Sequence, residues 1–181
     1  MFGVILNYSY SNNLENFFRT LEKSPTVKLK VNFIQKYYDK NFESFGDFYI
    51  LGHREYFFDS SDFEIYADSN HTITKNNINR QIIYNESNRD QLDLFNILSG
   101  ERSQIEFSDA NGNTNKYEFS ISTIGIKGYF LFEPGSELLS LIHFEIGLNQ
   151  YVTINIFKIE ILDNFLPKIN LDNFEIIDLR G

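Results

Sequence analysis

The strongest constraint on the fold lies between Ser103 and Phe132. Ile105 and Phe107 alternate with polar neighbours, and so do Tyr117, Phe119 and Ile121. Period two is the pattern of a strand with one buried face and one wet face. Asn111-Gly112 sits between the two runs and supplies the φ > 0 positions that a tight hairpin turn requires. The segment therefore predicts an antiparallel hairpin, and a chain that contains it must find cover for one face of a sheet.

The flanking segments supply further strands and two helices. Leu14, Phe17, Phe18 and Leu21 are spaced i, i+3, i+4 and i+7, which puts them on one helical face. Asn12 is placed to cap that helix, with Glu15 three residues on, and Pro25 stops it. Val27, Leu29, Val31 and Phe33 alternate with polar residues as in a strand, and residues 37–41 read as a turn. Phe48 to Leu51, Phe63 to Ala67 and Gln81 to Tyr84 read as strands, with turns at 68–70 and 75–77. Asn88 to Ser99 carries the second helical pattern, closed by Gly100. Gly125 and Gly128 predict a kink or bulge before a strand at Tyr129 to Phe132. Leu138 to Ile146 fits a buried strand or a short helix, and the glycines on either side favour the strand. Tyr151 to Leu162 is rich in Val, Thr, Ile and Phe, as a long central strand is. Ile169 to Leu179 alternates weakly, like an edge strand. The expected architecture is α+β. It is a single domain over residues 1–181, with a large, mainly antiparallel sheet, curved or barrel-like, and about two helices packed on one side.

Several chemistries are excluded as expectations. The net charge of −9 argues against a nucleic-acid partner, because phosphate binding needs cations. The chain has no Cys, so thiol catalysis, disulfides and Cys-ligated zinc are absent. His53, His71 and His143 are far apart and form no metal-binding pair motif. No nucleophile elbow or Walker loop occurs, and Gly125-Ile126-Lys127-Gly128 lacks a helix signal after it. These absences predict a protein that is not an enzyme and that needs no metal or cofactor. No apolar run approaches the roughly 20 residues that span a bilayer, so a cytoplasmic location with no membrane partner is expected.

The acids are unevenly placed. Asp59, Asp62, Glu64 and Asp68 fall within ten residues, and with Phe63, Ile65 and Ala67 facing a core, Asp62, Glu64, Tyr66 and Asp68 share the opposite strand face. Neighbouring like charges repel, and a cationic partner relieves that repulsion. Asp172, Glu175 and Asp178 form a second acidic stretch. Both stretches read either as solvated faces or as partner-binding surfaces.

In overall character the chain resembles the small bacterial immunity proteins of contact-dependent growth inhibition and related polymorphic toxin systems. It is short, acidic, cysteine-free and aromatic-rich, with no catalytic motif. The resemblance implies an inhibitor of a cognate toxin protein, expected to be a basic nuclease domain. It would act by charge-complementary occlusion through the acidic stretches, and by pairing at a sheet edge. The alternatives are an assembly protein of a phage or secretion system and a carboxylate-dependent hydrolase.

Overall fold

The computed structural model describes residues 13–52, 55–86, 105–109, 115–122 and 125–180. One helix and twelve strands occur among them. The helix α1 spans Asn13–Lys23. It is followed by β1 (Thr26–Tyr37), β2 (Lys40–Gly52), β3 (Glu55–Ser60), β4 (Phe63–Ala67), β5 (His71–Asn76) and β6 (Gln81–Glu86). Then come β7 (Glu106–Asp109), β8 (Lys116–Ile121), β9 (Ile126–Phe132), β10 (Leu139–Gly147), β11 (Gln150–Leu162) and β12 (Glu175–Asp178).

All twelve strands form one sheet in the order β12-β6-β5-β4-β3-β2-β1-β11-β10-β9-β8-β7. Two antiparallel meanders, β1 to β6 and β7 to β11, meet where β1 pairs with β11. The pairing runs from Thr26 opposite Leu162 to Tyr37 opposite Gln150. After β11 the chain crosses the sheet and adds β12 parallel to β6. The sheet is thus mainly antiparallel and open, and the fold is α+β. The second expected helix, at 88–99, and the tip of the 111–112 turn lie outside the described residues. Two helices were expected, and one stands among the described residues.

The sheet has to bend. In the strand order β2 and β7 stand six places apart, which at about 4.8 Å per place is roughly 29 Å on a flat sheet. Yet α1 lies against β2, and its Phe18 ring is 5.9 Å from Phe107 of β7. A helix is only about 10–12 Å across. Both contacts are met only if the sheet curves around the helix. The inner face is therefore concave, and Leu14, Phe17, Phe18 and Leu21 of α1 are buried against it. The predicted helical face is the face that the fold buries.

The strand at 138–146 forms as β10, and the tail forms a short edge strand, as expected. Two strands were missed, β3 and β5, and β2 begins earlier than its apolar run suggested. Gly128 also differs from the kink or bulge expected of it. It lies inside β9, in register with Phe144 on one side and Phe119 on the other. A Cβ there would press on the His143 carbonyl oxygen and come within 2.7 Å of both the Phe119 ring and the Phe144 Cβ. The glycine lets two large rings close over the backbone. Gly128→Ala is expected to destabilise the protein by about 1–3 kcal/mol through overpacking. The measurement is the urea midpoint, and an unchanged midpoint would show that the rings are not closed over this position.

Candidate functional site

The two faces of the sheet carry different chemistry. On the concave face, alternate residues of β1, β2, β3, β8, β9, β10 and β11 form one continuous apolar core with α1. Phe48, Phe130, Phe132, Leu29 and Ile142 are almost fully buried there. Phe18 stacks edge-on against Phe130 at 5.9 Å, and Phe17 meets Phe132 at 6.5 Å. Asn13 Nδ2 donates to the Ser136 carbonyl at 3.1 Å, and Asn16 Nδ2 donates to Glu137 Oε1 at 3.0 Å. These bonds seat the N-terminal turns of α1 on the loop between β9 and β10. Its C-terminal end passes through Ser24-Pro25 directly into β1. Among the described residues, α1 is the helix that packs on the concave face, with four apolar side chains.

The outer face is polar and is partly strapped. Residues 163–174 cross it between β11 and β12. Phe165 stacks on Tyr49 with ring centroids 3.9 Å apart, and Phe174 covers Lys75 with the ammonium 4.9 Å from its ring. Beneath the strap, Lys75 and Glu64 form an ion pair with little exposure. Farther along, Lys116, Tyr129, His143, Tyr151 and Lys36 line up across five adjacent strands. The His143 ring lies 5.2 Å from Tyr129 and 5.3 Å from Tyr151. Lys116 and Lys36 cap the two ends of that stack. His143 Nδ1 bonds the Thr153 hydroxyl at 2.8 Å, and burial lowers the pKa of the ring. Among the described residues no group of three His, Asp or Glu side chains is placed to hold a metal.

The expected partner-binding acids fall into two neighbouring regions, and most have contacts within the chain. Glu64 pairs with Lys75. Tyr66 donates to Glu55 Oε1 at 2.9 Å, and burial together with that carboxylate pushes its phenol up to about 12. Asp68 accepts from the backbone N–H groups of Asn70 and His71 at 2.7 and 2.8 Å. Asp62 accepts from the Ser61 hydroxyl at 3.0 Å. In the second stretch, Glu175 accepts from Gln81 at 2.9 Å. Arg180 clamps Asp178 at 2.6 and 2.8 Å and holds its carboxyl down to about 2. Asp172 is exposed. Asp59 differs from the rest. It stands opposite Asp47 on one side and Glu64 on the other, and burial followed by those two charges raises its pKa.

The sequence matches no protein-family model and no curated protein. Its fold is similar to solved structures. An uncharacterized conserved protein from Thermus thermophilus superposes with a TM-score of 0.53 at 8% identity, over 91% of this chain and 98% of that one. A LolA superfamily protein from Nitrosomonas europaea superposes with a TM-score of 0.54 at 11% identity, over 86% of this chain and 93% of that one. This likeness corrects the expected resemblance to toxin-immunity proteins, and with it the toxin-inhibitor role and the basic nuclease partner. That expectation came from composition, which counts carboxylates without saying what they face. The aromatic content was read there as part of that character, whereas many of the rings line the concave apolar wall.

Asp59 yields a prediction with a definite sign. A raised carboxyl pKa favours the protonated form in the folded state. Its contribution is fully present below the unfolded value near pH 4 and is lost as pH rises through the raised value. At neutral pH the charge therefore works against folding. Asp59→Asn is expected to stabilise the fold at pH 7 by roughly a few tenths of a kcal/mol on the scale of cross-strand pairs, read as a higher thermal midpoint. The gain should close below about pH 4. A gain that stays constant with pH would mean that charge is not its cause.

Proposed function

We propose that the protein is a non-catalytic carrier that holds a long acyl chain between α1 and the concave face of the sheet. The observation that carries this reading is the apolar wall on which, among the described residues, the amphipathic helix α1 packs. Ser44 and Ser60 are buried in register with Phe33 and Gly46, and the rest of the described wall is apolar and offers surface for hydrocarbon. The fold likeness to the LolA superfamily protein is compatible with this reading and does not carry it.

Magnitudes decide which ligands suit. Lifting α1 exposes four apolar side chains at about 1.5–3 kcal/mol each, or roughly 6–12 kcal/mol together. An acyl chain regains about 0.8 kcal/mol per methylene buried. Only a long chain offsets the displaced helix, so palmitate is expected to bind and octanoate to fail.

The test uses the fluorescent apolar probe N-phenylnaphthylamine and the cysteine-free background of the chain. Saturable probe uptake, reversed by palmitate and not by octanoate, is expected. Phe17→Cys with Phe132→Cys puts two thiols on α1 and β9, where the native rings stand 6.5 Å apart, and a short bis-maleimide cross-linker can tether them. The untethered double variant should take up probe and the cross-linked one should not. Absence of saturable uptake, or equal uptake in the cross-linked form, would overturn the proposal.

A further inference from the structure

Exposed apolar side chains gather at one end of the sheet. The β1–β2 turn presents Tyr37 and Tyr38, with Phe42 just behind, and the β10–β11 turn presents Ile146 and Leu148. The two tips lie side by side because β1 and β11 are paired, and the Tyr38 N–H donates to the Asn149 carbonyl at 3.2 Å. Leu148 is 86% exposed, the highest value among the large apolar residues. Tyr38 has φ 54°, a left-handed conformation that disfavours a bulky side chain by roughly 1–2 kcal/mol. Its exposed ring meets that of Tyr37 edge-on at 4.9 Å.

We propose that these two fused tips are the point at which the protein docks on a lipid bilayer. Leu148 would enter the edge of the acyl region, Tyr37 and Tyr38 would lie at headgroup level, and Lys36 and Lys40 would face the phosphates. The side chains suit that order of depth. A bare leucine at an apex has no polar group to satisfy. Tyrosine has an apolar ring and a wet hydroxyl, the combination enriched at membrane interfaces. At the tips Lys36 and Lys40 stand against Asp39, with Glu43 and Glu145 just behind, so docking rests on the apolar apex and not on a local excess of positive charge. A second protein is a poorer occupant. A stable protein interface takes roughly 20–30 residues a side, and the two tips, 36–42 and 146–151, offer thirteen. The sequence predicts no membrane partner because each tip alone is too short to register. The hydrophobic cluster exists only where two distant hairpins meet.

The rim also leads inward. Phe42 contacts Phe33 at 6.3 Å and Phe63 at 5.8 Å, and Phe33 packs against the core of the concave face. The role of this path as an entry for an acyl chain rests on the carrier reading above, whereas docking itself does not.

The chain has no Trp, so a single introduced indole reports without background. Leu148→Trp is compared with Leu166→Trp, an 83% exposed position on the strap of the outer face. With vesicles of phosphatidylcholine and phosphatidylglycerol in equal parts, the Leu148→Trp emission is expected to shift to the blue and to be quenched by brominated lipid. The Leu166→Trp emission should stay unchanged. Leu148→Asp, which changes only an exposed tip, should keep its melting point and lose at least tenfold in vesicle pelleting. The same shift should survive in the cross-linked Phe17→Cys, Phe132→Cys background, where interior uptake is blocked, so docking and carriage can fail separately. No shift at position 148, equal shifts at 148 and 166, or undiminished pelleting of Leu148→Asp would each overturn the proposal.

Discussion

The pairing of β1 with β11 holds the molecule together as one object. Each meander alone would leave a wide apolar face open to water, and the joint between them makes those faces a single wall. The joint is long, and its inner side packs Leu29 against Ile159, Val31 against Ile156 and Phe33 against Ile154. A register shift between Lys30 and Val31 leaves Phe157 as an extra residue on β11. Such a bulge bends the strand and increases the local twist. It sits at the centre of the sheet, where bending brings β2 and β7 toward the same helix. Curvature, helix seat and aligned hairpin tips all follow from this one seam.

The faces divide the work. Hydrophobic attraction is non-directional, so the concave wall and α1 need only complementary shape and enough apolar area to close on one another. A contact of that kind can be exchanged for another apolar body of similar volume. The outer face is held by specific pairs, such as Lys75 with Glu64 and Phe165 with Tyr49, which a ligand cannot easily replace. The strap thereby closes one side of the β2–β6 half. It leaves the helix side as the place where substitution costs least.

The legible parts of the fold were those where one face is wet. Alternation identified β1, β4 and β8, and the i, i+3, i+4, i+7 spacing identified all four buried residues of α1. β3 escaped because Tyr56, Phe57 and Phe58 are all buried, with the core on one side and Phe165 on the other, so the period disappears. β5 escaped because its side chains are polar apart from Ile73 and its end was read as a turn, although Lys75 within it is buried by a partner eleven residues back. The acidic stretch showed which face its residues share but not that Glu64 already has a lysine beside it. The docking rim left no trace, since Tyr38 and Leu148 come from hairpins far apart in the chain.

The amino-acid order alone determined the local elements and their wet or dry sides. Backbone geometry ties a repeat of 2 or 3.6 residues directly to a face. Only the tertiary structure decided which strands adjoin, how far the sheet bends, which charges meet and which tips fuse. Those outcomes depend on contacts between segments separated by many residues. A count of carboxylates or aromatic rings carries no record of which neighbour each will find.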